Sequence, residues 1–275
     1  MDKEFSVSQI LAEARDRTDR ALKANVTVEE RETIPPLDGI KVELPRWYRV
    51  DPVVAVVADL KNSTQFNTRR QQKTIARFYE GYMSSLVSVV QAFKPEFVDI
   101  QGDGLFALFD GQDALQVGMV AAVSVKLFSD QVLLPRLRNA LVDLPDTGVK
   151  VGVASGAILV KKVGVRGTNE PIWAGKPVNW AAKCAQVADA GQLVVTRGVW
   201  EQIEGNEYLR WPCDHQSRLL QRSLWRSITV EKLPEGQREC HAAMSFWCDA
   251  CTDSFCRAVL AGESNRPKAW RIRLA

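Results

Sequence analysis

"FVDIQGDGLFALF", residues 97 to 109, sets an aspartate between two glycines inside an otherwise apolar run. Phe97 to Ile100 and Leu105 to Phe109 flank Gly102-Asp103-Gly104, the pattern of a β-hairpin with a carboxylate at its turn. Packing alone gives no reason for a charge there. A second acid, Asp59, stands at the exit of the β-branched run Val53 to Ala58, which reads as a buried strand.

Around these two acids the chain alternates helix and strand. Asn62 and Ser63 can cap a long helix whose stripe includes Ile75, Phe78, Tyr82, Leu86, Val90 and Phe93 and which Pro95 stops. A second helix is expected near Asp113 to Ser129. Val149 to Ala154 and Ala157 to Val163 read as strands bent at Ser155-Gly156, followed by a polar loop from Gly164 to Glu170. A helix from about Val178 to Ala188 and a strand from Gln192 to Thr196 complete the pattern. The fold class is α+β, close to a ferredoxin-like βαββαβ core with an antiparallel sheet.

In such a sheet the first strand and the hairpin are neighbours, so Asp59 and Asp103 can converge. Two carboxylates repel unless a cation lies between them, and hard oxygen ligands suit Mg²⁺ or Mn²⁺. Taken alone, Asp103 reads better as a turn residue and Asp59 as a helix N-terminal acid. Together, each beside an apolar strand, they favour a metal site. The loop from Leu60 to Thr64 enters a helix, and its backbone N–H groups make a cradle for phosphate. That combination is the apparatus of phosphoryl or nucleotidyl transfer, with two divalent ions per site.

The composition is that of an ordinary globular protein: 275 residues, 46% hydrophobic, 25% charged, net charge +3. This charge gives no warrant for nucleic acid or membrane as an obligatory partner and leaves room for an anionic small molecule. Asp, Lys or Arg interrupts the apolar stretches within about ten residues, and the opening residues lack the apolar segment of a signal peptide. A cytoplasmic location with reduced cysteines is expected. The expected organisation is an N-terminal helix and Pro-containing connector (1–50), a catalytic domain (51–233) and a Cys-rich tail (234–275). The N-terminal helix, with Phe5, Ile10, Leu11, Ala14 and Leu22 on one side, reads as a lid or dimer arm packed on the core.

"DLKNST", "IQGDGLFALF" and "GKPVNWAAKCAQVADAGQLVVT", in this order and spacing, resemble the catalytic domain of class III nucleotide cyclases from about Val53 to Thr196. The resemblance implies a homodimer with active sites at its interface, where a nucleoside triphosphate 3′-hydroxyl attacks its own α-phosphorus. It assigns metal binding to Asp59, Asp103 and the backbone carbonyl of Leu60, and triphosphate contact to Asn62, Ser63 and Thr64. Asn179 matches the ribose-orienting asparagine of the opposite subunit. Lys183, one helical turn on, stands where the family has a charge-stabilising arginine; it keeps the charge without the planar fork.

The resemblance also bears on the base. Family adenylate cyclases read adenine with a lysine and an aspartate; here those positions are Asp99 and Ile172, or Trp173 on a one-residue slip. A carboxylate at Asp99 accepts hydrogen bonds, as the uracil N3–H or cytosine amino group would offer. Guanine offers N–H donors too. The compact architecture and the missing purine readers resemble the pyrimidine cyclases of Pycsar anti-phage defence, whose cyclic UMP or cyclic CMP switches on a separate effector. UTP is favoured over CTP. Adenylate or guanylate cyclase activity, and an inactive nucleotide-binding module, are the alternatives.

Beyond Pro234, Cys248-x-x-Cys251 has zinc-knuckle spacing, with Cys256, Cys240 and His241 nearby and Cys213 and His215 upstream. The irregular intervals favour reduced cysteines on helical faces over structural zinc. Cys184 is expected in the core. Arg266, Lys268, Arg271 and Arg273 read as a solvated basic end. A zinc-dependent nucleic-acid-binding protein is disfavoured by the near-neutral charge.

Overall fold

The computed structural model describes residues 6–42, 45–68, 70–165, 168–213, 223–244 and 247–267. Phe5, His215, Lys268, Arg271 and Arg273, named above, lie outside them. Helix α1 (Val7–Lys23) is capped by Ser6, and strand β1 (Thr27–Arg31) leads to β2 (Arg46–Leu60). After β2 come α2 (Ser63–Thr68), α3 (Gln72–Gln91), β3 (Phe97–Gln101), β4 (Gly104–Asp110) and α4 (Ala114–Leu127). A π-helical turn at Phe128–Leu133 joins α4 to α5 (Leu134–Ala140). Then follow β5 (Val149–Val165), β6 (Thr168–Gly175), α6 (Lys176–Val187), β7 (Leu193–Thr196), α7 (Arg197–Ile203) and α8 (Glu207–Arg210). Strands β8 (Trp225–Thr229) and β9 (Glu239–Ala243) and helix α9 (Asp249–Leu260) complete the chain.

The strands form one sheet in the order β3-β4-β2-β5-β7-β9-β8, with β1 added beside β2 and β6 beside β5. The stretch β3-β4-β2-β5 is the ferredoxin-like order, antiparallel throughout. Strand β2 shows why the sheet is covered on both faces. Its side chains alternate: Val54, Val56, Ala58 and Leu60 join the larger core under α3, α4 and α9, while Val53, Ala55 and Val57 face α6. Helix α6 lies close on β5 because Gly152 has no side chain; a Cβ there would come within 2.0 Å of the Ala181 carbonyl oxygen.

Several expectations change. The long helix after Asn62 is two helices, because Phe66 of the short α2 turns back to pack on Phe78 of α3, ring centroids 4.1 Å apart. The two strands expected at 149–163 are one strand, β5. The expected polar loop at 164–170 is shortened from both sides, by the end of β5 at Val165 and the start of β6 at Thr168; β6 is an edge strand that tolerates Pro171 because, among the described residues, it pairs only with β5. No residue of α1 is buried, so that helix does not pack on the core of its own chain.

The stretch after Pro234 is not set apart from the sheet: β9 lies between β7 and β8, and Cys251, Phe255 and Val259 of α9 enter the larger core. Arg266, expected in solvent, is buried; its guanidinium donates to the Trp211 and Pro212 carbonyls and lies over Phe255. Among the described residues, Ala114–Ala140 is long and apolar enough to cross a membrane, but 67% of its most apolar window is buried inside the protein.

Candidate active site

Asp59 follows Val53, Ala55 and Val57 in the alternation of β2, so its carboxylate emerges on the α6 face. The β3–β4 hairpin closes beside it. Gly102 adopts φ +65°, and Gly104 sits so close to β2 that a Cβ would meet the Ala58 carbonyl oxygen at 2.4 Å and the Asp59 Cα at 3.3 Å. Gly104 therefore makes room for the neighbouring strand, and that contact sets Asp103 next to Asp59.

The buried Tyr82 of α3 reports the charge gathered there. Burial first, then the negative charges of Asp59 and Asp103, hold its phenol well above the ordinary value. It stays protonated and donates to the Asp103 carbonyl at 3.2 Å. A cation is already in place: Lys150 of β5, the register partner of Asp59, brings Nζ to 2.6 Å from its carboxylate. Asp59 thus has an internal counter-charge, its lysine side chain only 14% exposed, and Asp103 adds a second negative charge felt at the same phenol. Hard oxygen donors in excess over their internal counter-charge fit a divalent cation such as Mg²⁺ or Mn²⁺.

The turn after Leu60 is firmly held. Lys61 pairs with Asp146 at 2.8 Å and Asp189 at 3.0 Å, and these bonds, Asp146 foremost, raise its pKa. Thr147 donates to the Lys61 carbonyl at 2.7 Å. Asn62, at φ 59°, donates its amide to the Asp146 carbonyl at 2.7 Å rather than capping α2 with its side chain. Ser63 is half-buried and Thr64 exposed at the start of α2.

A cleft opens between the sheet and α6, lined by Val57, Asp59, Gln101, Gly104, Phe106, Val178, Ala182 and Gln186. Asp99 is half-buried on the same face of β3 as Gln101, whose amide donates to it at 3.2 Å. Trp173 packs on Phe97, two residues before Asp99, with centroids 4.6 Å apart. Ile172, on the other side of β6, is 42% exposed. Of the two candidate positions, only Trp173 joins the strand that carries Asp99.

Asn179 and Lys183 stand one turn apart on α6, but the cleft is lined by the adjacent stripe of that helix, Val178, Ala182 and Gln186. Asn179 is exposed and donates to the Gly175 carbonyl at 3.1 Å. Within one chain, then, the Asp103 turn lies against Asp59, while Asn179 and Lys183 are not among the residues that line the cleft. Sequence reasoning missed Lys150, Gln101 and Tyr82. Only the β2–β5 register singles out Lys150, whereas Gln101 was visible beside the hairpin turn.

The cysteines separate into distinct groups, and none forms a disulfide. Cys184 and Cys240 are buried, and the Cys184 thiol donates a hydrogen bond to the Cys240 sulfur. His241 stacks on Trp200 at 4.3 Å. Cys213, Cys248 and Cys251 converge elsewhere.

This architecture and carboxylate site define a class. Residues 46–218 match the family described as "Adenylate and Guanylate cyclase catalytic domain", and the chain belongs to that family. Within it, the chain is 40% identical over 234 residues to a uridylate cyclase of Micromonospora echinofusca, spanning 84% of this chain and 76% of the relative. It is 39% identical over 223 residues to a uridylate cyclase of Propioniciclava tarda, spanning 80% and 72%. The adenylyl cyclase CyaB from P. aeruginosa has the same fold, with a TM-score of 0.58 at 14% identity, covering 72% of this chain and 96% of that one. The protein is a nucleotide cyclase.

Proposed function

We propose that the protein converts UTP to 3′,5′-cyclic UMP and pyrophosphate. The ribose 3′-oxygen loses its proton and bonds to the α-phosphorus, and the bond from that phosphorus to the β-phosphate bridging oxygen breaks. Asp59, Asp103 and the Leu60 carbonyl would hold two divalent ions, Mn²⁺ or Mg²⁺. Such ions activate the attacking hydroxyl and neutralise the leaving charge. Asn62, Ser63 and Thr64 lie where the triphosphate would meet the turn. Lys150, beside Asp59, adds a cation for the phosphates, and Lys183 supplies charge at the reacting phosphorus. The observation that carries this reading is the close approach of the Asp103 turn to Asp59, in a chain 40% identical to a uridylate cyclase.

Asn179 and Lys183 do not line the cleft of their own chain, which supports a homodimer in which each copy completes the site of the other. Asp99, with Trp173 and Phe97 beside it, is proposed to accept from the uracil N3–H. The product would act as a messenger for a separate effector in anti-phage defence, in the cytoplasm.

Lys183 in place of arginine favours a second reading, a module that binds nucleotide without turnover. The test offers UTP, CTP, ATP and GTP separately with Mn²⁺ and identifies products by mass. Cyclic UMP as the main product is expected. Turnover of ATP alone would end the pyrimidine assignment and keep the cyclase. Binding of UTP without any product would establish the module instead.

A further inference from the structure

We propose that Cys213, Cys248 and Cys251 bind one zinc ion that fastens the C-terminal helix to the body of the protein. The three Sγ atoms lie within 4.8 Å of one another. Thiolates at the Zn–S distance of about 2.3 Å stand roughly 3.8 Å apart in a tetrahedron, so a small inward movement satisfies the ion. Three convergent thiols suit a soft, borderline cation and do not suit Mg²⁺ or Mn²⁺. This site is therefore chemically distinct from the carboxylate cleft.

The two limbs that carry the thiols are fixed to each other by buried hydrogen bonds. Trp247, immediately before Cys248, donates its indole N–H to the Tyr208 carbonyl of α8 at 2.7 Å. Arg266, beyond α9, donates to the Pro212 carbonyl, adjacent to Cys213, at 2.7 Å and lies over Phe255 of α9. The thiols are thereby held near ligand geometry by groups that do not themselves bind metal. Such preorganisation is what a tight site requires.

Backbone amides complete the setting. The Cys248 N–H serves the Cys213 sulfur, and the amides of Cys251 and Ala250 serve the Cys248 sulfur. Cys213 and Cys251 are buried, whereas Cys248 is half-buried. The Cys248 side leaves the fourth coordination position to water or another ligand. A second copy of this chain is not needed for the three thiolates. Cys256 and the Cys184–Cys240 pair lie outside the cluster.

The experiment measures metal content of the full chain purified without added chelator, then replaces zinc with Co²⁺. One zinc per chain and a near-ultraviolet sulfur-to-cobalt charge-transfer band are expected. Both should vanish in Cys248→Ser, whose half-buried position favours folding, and persist in Cys256→Ser. Zinc should also protect the three thiols from alkylation in the parent protein, a readout that needs no variant. Metal-free protein whose three thiols alkylate equally with and without added zinc would overturn the proposal. So would a Cys248–Cys251 disulfide found by mass under reducing cytosol-like conditions, or full zinc retention in Cys248→Ser.

Discussion

The molecule gathers ligand-type side chains in two places, and they are built differently. At one end of the sheet, Asp59 and the Asp103 turn meet across adjacent strands of a rigid ferredoxin-like core, beside a cleft and with Lys150 as counter-charge. Away from that cleft, Cys213, Cys248 and Cys251 meet where chain segments enter or leave helices, held by Trp247 and Arg266. Oxygen donors on an open face admit ions that exchange and substrate that turns over. Sulfur donors in a clamped, largely buried corner suit an ion that stays. On the proposed roles, the two sites divide chemistry from stability.

The largest test separates them directly. Asp59→Ala or Asp103→Ala should lower kcat by more than about a thousandfold, the scale of losing preorganised charge stabilisation. The unfolding free energy should stay within about 1 kcal/mol of the parent for Asp103→Ala and fall by about 1–3 kcal/mol for Asp59→Ala, which leaves Lys150 unpaired. A fully active Asp103→Ala protein would break the division at its oxygen end. A mild chelator should stop turnover, and added Mn²⁺ should restore it without change in the thermal midpoint.

Lys183→Ala should lower kcat by about tenfold to a hundredfold, while Lys183→Arg, which restores the planar fork, should keep or raise it. Steady-state assays with UTP measure both. Gly104→Val places atoms against the Ala58 carbonyl, so the hairpin must shift. It should cost about 1–3 kcal/mol in denaturant titration and reduce turnover as Asp103 moves.

The smallest effect belongs to the sulfur half of the molecule. Burial holds His241 below its ordinary pKa, with Glu239 and Glu204 acting weakly against it. The unfolded chain therefore binds its proton first. Stability should be complete above about pH 6.5 and fall as pH drops from there toward the lower folded value. Thermal melts across that window, with His241→Gln as the comparison, check the slope.

Much of this was legible before the fold was known. The period-two run of β2 and the glycines around Asp103 led to a sheet with a carboxylate at a hairpin tip, and both features are present. The spacing of Asn179 and Lys183 put them one turn apart on a helix. What escaped was set by partners distant in sequence. Strand β6 contains Pro171 and polar residues, and only its pairing with β5 makes it a strand. Lys150 looked like any strand lysine until register placed it on Asp59. The cysteine intervals looked irregular because Cys213 reaches Cys248 and Cys251 through tertiary folding rather than through a local knuckle.

The placement of Asn179 and Lys183 outside the cleft lining has an effect at the level of a population of molecules. In the proposed dimer, two copies must meet before either can act. At low abundance the output then rises more steeply than the number of chains, so expression itself becomes a threshold. It also means that defects can rescue each other. Chains carrying Asp59→Ala mixed with chains carrying Asn179→Ala would form mixed pairs with one intact site, and activity would return from two inactive preparations.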